Sequence, residues 1–416
     1  MNLEDLLYKA KRFYHWLRHP GDSLSQRVLH GGVWSFALRI VTRSFSLIRT
    51  VILARLLAPN DFGLFGIAML ALSSLERFSK TGFNQALIQK KEETKSYLDT
   101  AWTVQVIRGL VLGGILVAGA PLVGLFFEEP RAVLIVRVLG AAEVLKSLRN
   151  IGIVYFRKEL EFHRQFLYQF SGTFADLAVA LPFAFIFRSV WALVFGILAK
   201  NTVKTIVSYF VHSFRPSLNF DFAKTRELWD FGQWVFLQAI LLFLITQGDD
   251  VFVGRVIGAS ALGLYRLAYR ISNISATEIT HVVSRVTFPA FSKLQDDIKK
   301  LKEGFFQTLE TLALTSLPIA AGILAVSKDF TQLFLGEQWL PMLPALQVLC
   351  LFGAIRAIGA STGSVYRALG RVDIPFKISS VQLAVLAISI YPLTQWNGIL
   401  GTSIAVTLGV FVNLII

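Results

Sequence analysis

Ala54-Arg-Leu-Leu-Ala-Pro-Asn-Asp-Phe-Gly-Leu-Phe-Gly-Ile-Ala68 returns 200 residues later, without a gap, as Gly254-Arg-Val-Ile-Gly-Ala-Ser-Ala-Leu-Gly-Leu-Tyr-Arg-Leu-Ala268. In the same register Gly32-Val-Trp-Ser-Phe36 lies over Gly232-Gln-Trp-Val-Phe236. Nine of the 37 positions from Gly32 to Ala68 are identical, where biased apolar composition alone gives roughly three. A repeat at a fixed long shift is the mark of a duplicated unit.

The unit that repeats is apolar. Hydrophobic residues make up 54% of the 416 residues and charged residues 16%, against about 25% charged in soluble domains. Mean hydropathy is +0.58. A soluble chain of this length has no interior large enough for so much apolar surface, so lipid must cover it. Windows long enough to cross roughly 30 Å of hydrocarbon fall at about 32–57, 61–79, 98–124, 132–153, 166–187, 189–211, 231–256, 261–289, 305–327, 341–364, 376–393 and 398–416. Twelve spans are expected. Pro121 and Pro318 sit in the third span of each half, Pro182 and Pro392 in the fifth. Intramembrane prolines bend helices and free carbonyls, which suits helices around a cavity.

Loop charge tests the map. Lys9 to Arg27, Lys80 to Lys95, Lys146 to Arg164, Arg215 to Arg226, Lys293 to Lys302 and Arg367 to Lys377 hold 24 Lys and Arg, while the alternate loops hold three, Arg131, Arg188 and Lys328. Positive loops stay in the cytoplasm, so the N-terminus is expected there. Six spans per half give both halves one orientation, the parallel kind of repeat that lets two lobes rock around a central site. The division expected is a cytoplasmic segment 1–27, a six-helix lobe 28–212, a cytoplasmic linker 213–230 and a second six-helix lobe 231–416. Segment 1–20 interleaves Leu, Tyr, Phe and Trp with Lys, Arg and His. It reads as an amphipathic helix on the membrane surface, with a flexible basic tail as the alternative. The net charge of +14 serves orientation, and no motif for reading RNA or DNA accompanies it.

Other chemistries lack their residues. Cys350 is the one cysteine, and the six histidines (15, 19, 30, 163, 212 and 281) are scattered away from metal-ligand spacing. There is no P-loop and no dinucleotide fingerprint, so neither a cofactor nor a bound metal is expected. A catalytic constellation is missing from the longest outer loop, around Ser327 to Leu340, which holds Lys328, Asp329 and Glu337. The chain is expected not to be an enzyme.

What it does carry is charge inside the spans, at roughly 2.5–3.5 kcal/mol each on insertion scales unless it meets a partner or water. Span 1 has Arg39 and Arg43 one turn apart, then Arg49. Span 8 has Arg266, Arg270, Asn273, Thr277 and His281 at steps of three and four, one polar stripe on a continuous helix. Arg108, Lys204 and Arg356 are further intramembrane cations. For Arg39, Arg285 and Arg356, near the cytoplasmic face, snorkelling and cavity lining both remain open. Asp249 and Asp250 are the main acidic feature of span 7. Under the 200-residue shift Asp249 falls on Arg49, so the two are candidates to pair across a two-fold axis as a gate. Alternatively Asp249 holds a coupling proton or sodium ion, or both carboxylates sit in water at the outer mouth. Glu76, Asp176 and Glu278 are weaker candidates, and Glu76 has Lys80 at i+4 as a partner. The pairs Gly109/Gly113 and Gly359/Gly363 permit close helix contact.

At A-R-L-L-A-P-N-D-F-G-L-F (54–65), A-L-I-Q-K (86–90), G-D-D-V-F-V-G-R-V-I-G-A-S-A-L-G-L-Y (248–265), F-P-A-F-S-K-L-Q-D-D (288–297) and G-E-Q-W-L-P-M-L-P-A-L-Q (336–347) the chain resembles the polysaccharide-repeat-unit flippases (Wzx-type, PST branch) of the MOP superfamily. It is most similar to the subgroup around the colanic acid exporter. The resemblance runs from about residue 28 to the end. It implies an all-α integral membrane fold of two six-helix bundles facing a cavity. It also implies a bacterial inner-membrane location and a chain that continues past Ile416. The substrate implied is an oligosaccharide on undecaprenyl diphosphate, moved by alternating access, with a coupling ion and the polysaccharide polymerase and export machinery as partners. Arg39, Arg43, Arg49, Arg266, Arg270, Asn273 and His281 are then expected to line a cationic cavity for the diphosphate, since guanidinium holds phosphate in bidentate fashion. Asp249 and Asp250 are the expected coupling or gating pair. A multidrug antiporter or a lipid II flippase of the same superfamily, and a membrane assembly protein without transport, are the rivals. A cationic cavity would repel the antiporter's organic cations.

Overall fold

A computed structural model describes residues 24–79, 95–159, 161–219, 233–371 and 373–415. Most of segment 1–27 and of the linker 213–230 therefore lies outside the described residues. Within them every regular element is helical. The helices are α1 (Leu24–Leu56), α2 (Pro59–Phe78), α3 (Lys95–Phe126), α4 (Arg131–Ser147), α5 (Phe162–Phe187), α6 (Trp191–Val211), α7 (Gln233–Val256), α8 (Ala259–Ser272), α9 (Ile274–Lys293), α10 (Ile298–Phe330), α11 (Leu343–Gly359), α12 (Thr362–Ala368) and α13 (Asp373–Ile415). Pro121, Pro182, Pro318 and Pro392 all lie inside helices. Among the described residues six stretches are long and apolar enough to cross a membrane: Leu98–Phe126, Phe162–Phe187, Trp191–Val211, Ile298–Leu335, Glu337–Ala368 and Asp373–Ile415. Leu125, Phe210, Ile388 and Trp396 are each at least 76% exposed, a surface that only lipid tolerates.

Contacts group the chain into two compact units. One comprises residues 1–53, 79–118 and 137–236, the other 54–78, 119–136 and 237–416.

In the first unit α5 and α6 form an antiparallel hairpin, with Gly172 against Lys204 and Gly196 against Asp176 and Ala180. The absent side chains let the two backbones close. Gly109 packs on Ser147, and Gly113 on Gly140 and Val144, so this small-residue pair makes the close contact expected of it. Gly359 and Gly363 do not: among the described residues a side chain added to the first would meet only Leu414, in ordinary contact, and one added to the second would meet nothing. After α4, Asn150 organises the turn Ile151–Val154. Its Oδ1 accepts from Gly152 N–H (2.9 Å), and its amide donates to the Phe214 carbonyl (2.6 Å). His212 stacks on Tyr155 at 5.9 Å and accepts from Phe214 N–H at Nδ1 (3.0 Å).

The second unit is built around a crossing of α2 and α8. A side chain on Gly63 would run into the Ala259 backbone, and one on Gly263 into the Pro59 backbone. These four positions are two pairs 200 residues apart, so the contact is reciprocal. Pro59 opens α2 at a position where its missing N–H costs nothing. Because no side chain separates the helices, Arg266 reaches across and donates to the Gly66 carbonyl (2.7 Å). This contact draws α2 into the unit formed by the later helices.

The helix ends nearby are closed by side chains. Trp339, fully buried, donates from Nε1 to the Ala54 carbonyl (2.8 Å), and Gln338 donates to the carbonyls of Ala54 (2.9 Å) and Leu57 (3.1 Å). These are the orphan acceptors of the α1 terminus. Arg55 donates to the Leu333 carbonyl (3.0 Å), while its counterpart Arg255 pairs with Glu128 at 2.7 Å. Further on, α13 is two limbs meeting at Asn397 and Gly398, the latter at φ 55° and ψ −134°, backbone that glycine alone adopts cheaply. The limbs run antiparallel, joined by the Thr394 and Thr402 hydroxyls (2.8 Å) and by Asn413 donating to Gln382 (2.6 Å).

The span expected at 261–289 is not one helix. It divides at Asn273 into α8 and α9. At the break the Asn273 side chain and backbone N–H both donate to the Tyr269 carbonyl (3.2 and 3.1 Å), and the Asn273 backbone turns to φ −83°, ψ 4°.

Two outcomes follow from this packing. Gly63→Ala should cost about 1–3 kcal/mol in reversible unfolding in mixed micelles. Gly114→Ala, where among the described residues an added Cβ would meet nothing within 4 Å outside its own helix, should be neutral or stabilising by up to about 1 kcal/mol; equal effects would contradict the α2–α8 crossing. Burial first, then the nearby Arg164, holds His212 below its ordinary 6.5. The unfolded chain therefore binds this proton more readily, so the stabilisation is complete above pH 6.5 and drains away as pH falls below it. Thermal unfolding between pH 7 and pH 5 should show a slope that His212→Asn flattens.

Candidate functional site

The charges expected inside the helices are met by partners chosen locally. In the first unit Arg39 is half-buried and Arg43 exposed on α1. Arg49, expected opposite Asp249, is instead ion-paired with Asp176 of α5: Nη2 lies 3.0 Å from Oδ1, with side chains 14% and 11% exposed. Gly196 gives that carboxylate its room. Among the described residues Arg49 Nε and Asp176 Oδ1 make no aligned hydrogen bond, so the contact is electrostatic. Removing one partner of such a pair strands a buried charge, at about 3–5 kcal/mol. Arg108 donates to the backbone and hydroxyl oxygens of Ser79 (2.8 Å each). Lys204, buried, donates to Gln169 (2.7 Å) and sits 4.6 Å over the Tyr168 ring, which eases the cost of its burial.

In the second unit the site lies along α7, α8 and α11. Asp250 pairs with Arg266 at 3.5 Å, and Arg266 also holds the Gly66 carbonyl. Its neighbour Asp249 is buried and accepts a short bond from the Tyr265 hydroxyl (2.6 Å). Among the described residues its other oxygen, Oδ1, has no hydrogen-bond partner. One turn along, Arg356 of α11 donates to the Tyr269 hydroxyl and to Asn273 Oδ1, both at 3.2 Å. Arg356 and Tyr269 face a cavity of about 450 Å³, so this arginine lines a cavity wall. Arg270 is exposed. His281 lies on α9, and its side chain is outside the description.

The structure thus gathers Asp249, Asp250, Arg266 and Asn273 into one unit with two tyrosines and Arg356. The stripe expected on a single helix is shared between α8 and α9 because of the break at Asn273. Tyr265 and Tyr269 were not anticipated. Their spacing of four beside Arg266 and Arg270 is the signal that marks them, hidden because tyrosine in an apolar helix reads as packing. Among the described residues no three His, Cys, Asp or Glu side chains converge as a metal site would require.

Residues 52–344 match the family model of polysaccharide biosynthesis proteins. The chain is 28% identical to the lipopolysaccharide biosynthesis protein WzxC of Escherichia coli K12, over 95% of this chain and 80% of that one. It is 27% identical to the teichuronic acid biosynthesis protein TuaB of Bacillus subtilis, over 91% and 79%. A probable flippase, AglR of Haloferax volcanii, is 24% identical over 88% and 78%. Among solved structures, an inward-facing multidrug resistance MATE transporter of the MOP superfamily superposes with a TM-score of 0.72 at 17% identity, covering 90% of this chain and 92% of that one. Lipid II flippase MurJ in an inward closed conformation gives 0.73 at 16% identity, covering 92% and 86%. With helices, buried charges and sequence in agreement, the chain belongs to the polysaccharide biosynthesis protein family and has the fold of MOP-superfamily transporters.

Proposed function

We propose that this protein is a flippase that carries undecaprenyl-diphosphate-linked oligosaccharide repeat units from the cytoplasmic to the outer leaflet of the bacterial inner membrane by alternating access. The observation that carries the reading is the cationic and hydroxyl-rich face formed by Arg266, Arg270, Arg356, Asn273 and Tyr269 within helices of a transporter fold. Guanidinium groups placed there suit a diphosphate and repel organic cations. The names carried by the relatives, lipopolysaccharide and teichuronic acid biosynthesis and a probable flippase, support the same substrate class.

The finer architecture belongs to this proposal. Twelve spans in two parallel six-helix lobes, 28–212 and 231–416, are supported by the reciprocal glycine contacts at 200-residue spacing. Among the described helices α1 is less uniformly apolar than a plain span because it carries Arg39, Arg43 and Arg49. The alternating basic loops support a cytoplasmic N-terminus. Arg39, Arg43, Arg49 and His281 remain proposed cavity-lining groups. The buried Asp249, with one oxygen on Tyr265, is the proposed proton or sodium coupling site, and Asp250 gates through Arg266. Polymerase and export machinery are the proposed downstream partners.

In proteoliposomes fed a fluorescent undecaprenyl-diphosphate oligosaccharide, Arg43→Ala/Arg270→Ala should slow wild-type movement at least about tenfold. Undiminished movement would remove these arginines from the site, and no movement by the folded wild type under either gradient would end the flippase reading. Asp249→Asn should leave substrate binding intact while abolishing the acceleration by a proton or sodium gradient. A variant that still responds to both gradients would clear Asp249 of coupling.

A further inference from the structure

Arg356 and Tyr269 of the transport reading open onto a cavity whose other polar walls that reading has not used. The cavity of about 450 Å³ extends from Tyr269 and Arg356 to Arg367, Thr246, Gln382 and Asn413. Its volume is that of a small-molecule pocket, for which roughly 300–1,000 Å³ is usual. Its remaining walls are apolar, with Phe352 of α11 and Leu386 and Val406 of the two α13 limbs among them. Among the described residues no carboxylate lines it, and neither Arg356 nor Arg367 has an ion-pair partner. Arg356 spends Nη1 on two neutral oxygens, and Arg367 donates to the Gly363 carbonyl of its own segment (3.0 Å). Both side chains are nonetheless exposed. Two uncompensated guanidiniums facing an apolar-walled cavity are costly unless an anion or water meets them.

We propose that this cavity is the seat of the diphosphate and first sugar of the lipid-linked substrate, with Arg356 and Arg367 on the phosphates and the Gln382–Asn413 pair on the sugar; the assignment rests on the flippase reading. Charge balance selects the ligand. Two fixed monocations match the dianion of a diphosphate diester, whereas an acidic sugar supplies one negative charge per carboxylate. Guanidinium also meets phosphate oxygens two at a time. The amides select the neighbour of that anion. Asn413 gives one N–H to Gln382 Oε1, which leaves Asn413 Oδ1, its second N–H and the Gln382 amine to read hydroxyls. The Thr246 hydroxyl on the same wall is already engaged, donating to the Leu242 carbonyl (2.6 Å) and accepting from Arg77 (2.9 Å), and the Phe352 ring, 6.0 Å from the Arg356 guanidinium, offers an apolar face to a sugar. The polyprenyl tail has no place in a cavity of this size and stays in lipid.

The test is equilibrium binding to the full chain in nanodiscs, using three probes. They are an undecaprenyl-diphosphate disaccharide, the same disaccharide on neutral undecaprenol, and undecaprenyl diphosphate without sugar. Arg356→Gln/Arg367→Gln should weaken both diphosphate lipids at least about tenfold and change the neutral glycolipid less than twofold. Arg356→Lys/Arg367→Lys, which keeps the charge but not the fork, should fall between. Asn413→Ala should weaken the two sugar-bearing probes alone. Inorganic pyrophosphate should compete for wild type and not for the glutamine variant. Equal loss for charged and neutral probes, or none, overturns the anion site; an Asn413 effect on the sugar-free probe overturns the sugar assignment. Thermal unfolding of each variant separates misfolding from lost contacts. Transport by wild type is scored in parallel: wild type that binds as described but never flips lipid refutes the function and leaves the subsite, while normal flipping and binding by the glutamine variant refutes the subsite and leaves the function.

Discussion

The second unit depends on the absence of side chains at Gly63 and Gly263. Each lies against the other helix's backbone, Gly63 on Ala259 and Gly263 on Pro59, so α2 and α8 approach as closely as peptide planes allow. Without a hydrophobic driving force between helices in lipid, such packing is what holds them. The electrostatics hang from the same contact. Only at this separation does Arg266 reach the Gly66 carbonyl, and in that position it also meets Asp250. Asp249, beside it in the chain, turns to Tyr265 one turn before Tyr269, which in turn meets Arg356. A backbone contact thereby fixes a line of charged and hydroxyl groups through otherwise apolar helices.

Much of this was legible in sequence, for reasons that differ by residue. The stretches around Gly63 and Gly263 were visible because glycine and proline punctuate helices, and their recurrence at one shift is improbable by composition. Gly109 and Gly113 carried the right signal, whereas Gly359 and Gly363 carried the same signal without the contact, because spacing says nothing about what lies opposite. The break at Asn273 was invisible to periodicity, since an asparagine at a three-residue step continues a polar stripe on paper. The helix turns there all the same, with the Asn273 side chain and backbone N–H sharing the carbonyl of Tyr269. The partners of charges were the least legible. Asp176 claims Arg49 through the space left by Gly196, and Tyr265 claims Asp249 from within an apolar run.

The same tension explains why hydropathy, which recovers six stretches among the described residues, passes over α1. A helix that carries Arg39, Arg43 and Arg49 cannot also score as uniformly apolar, whereas α8, with Arg266 and the exposed Arg270 between the buried Leu262 and Leu267, is only 14 residues long and stops at Asn273. Such helices are held by neighbours more than by lipid. In a membrane protein the elements that look least like spans are therefore where chemistry concentrates.

The capping of α1 has a consequence for biogenesis. The Ala54 carbonyl receives its bond from Trp339, 285 residues later in the chain. At about 5–20 residues per second the ribosome needs roughly 15–60 s to deliver that tryptophan. Throughout that interval the bond that closes the end of α1 cannot form. The first of the described helices is thus among the last to have its end closed, and any slowing of synthesis before residue 339 prolongs the period in which that end is open to misplaced partners.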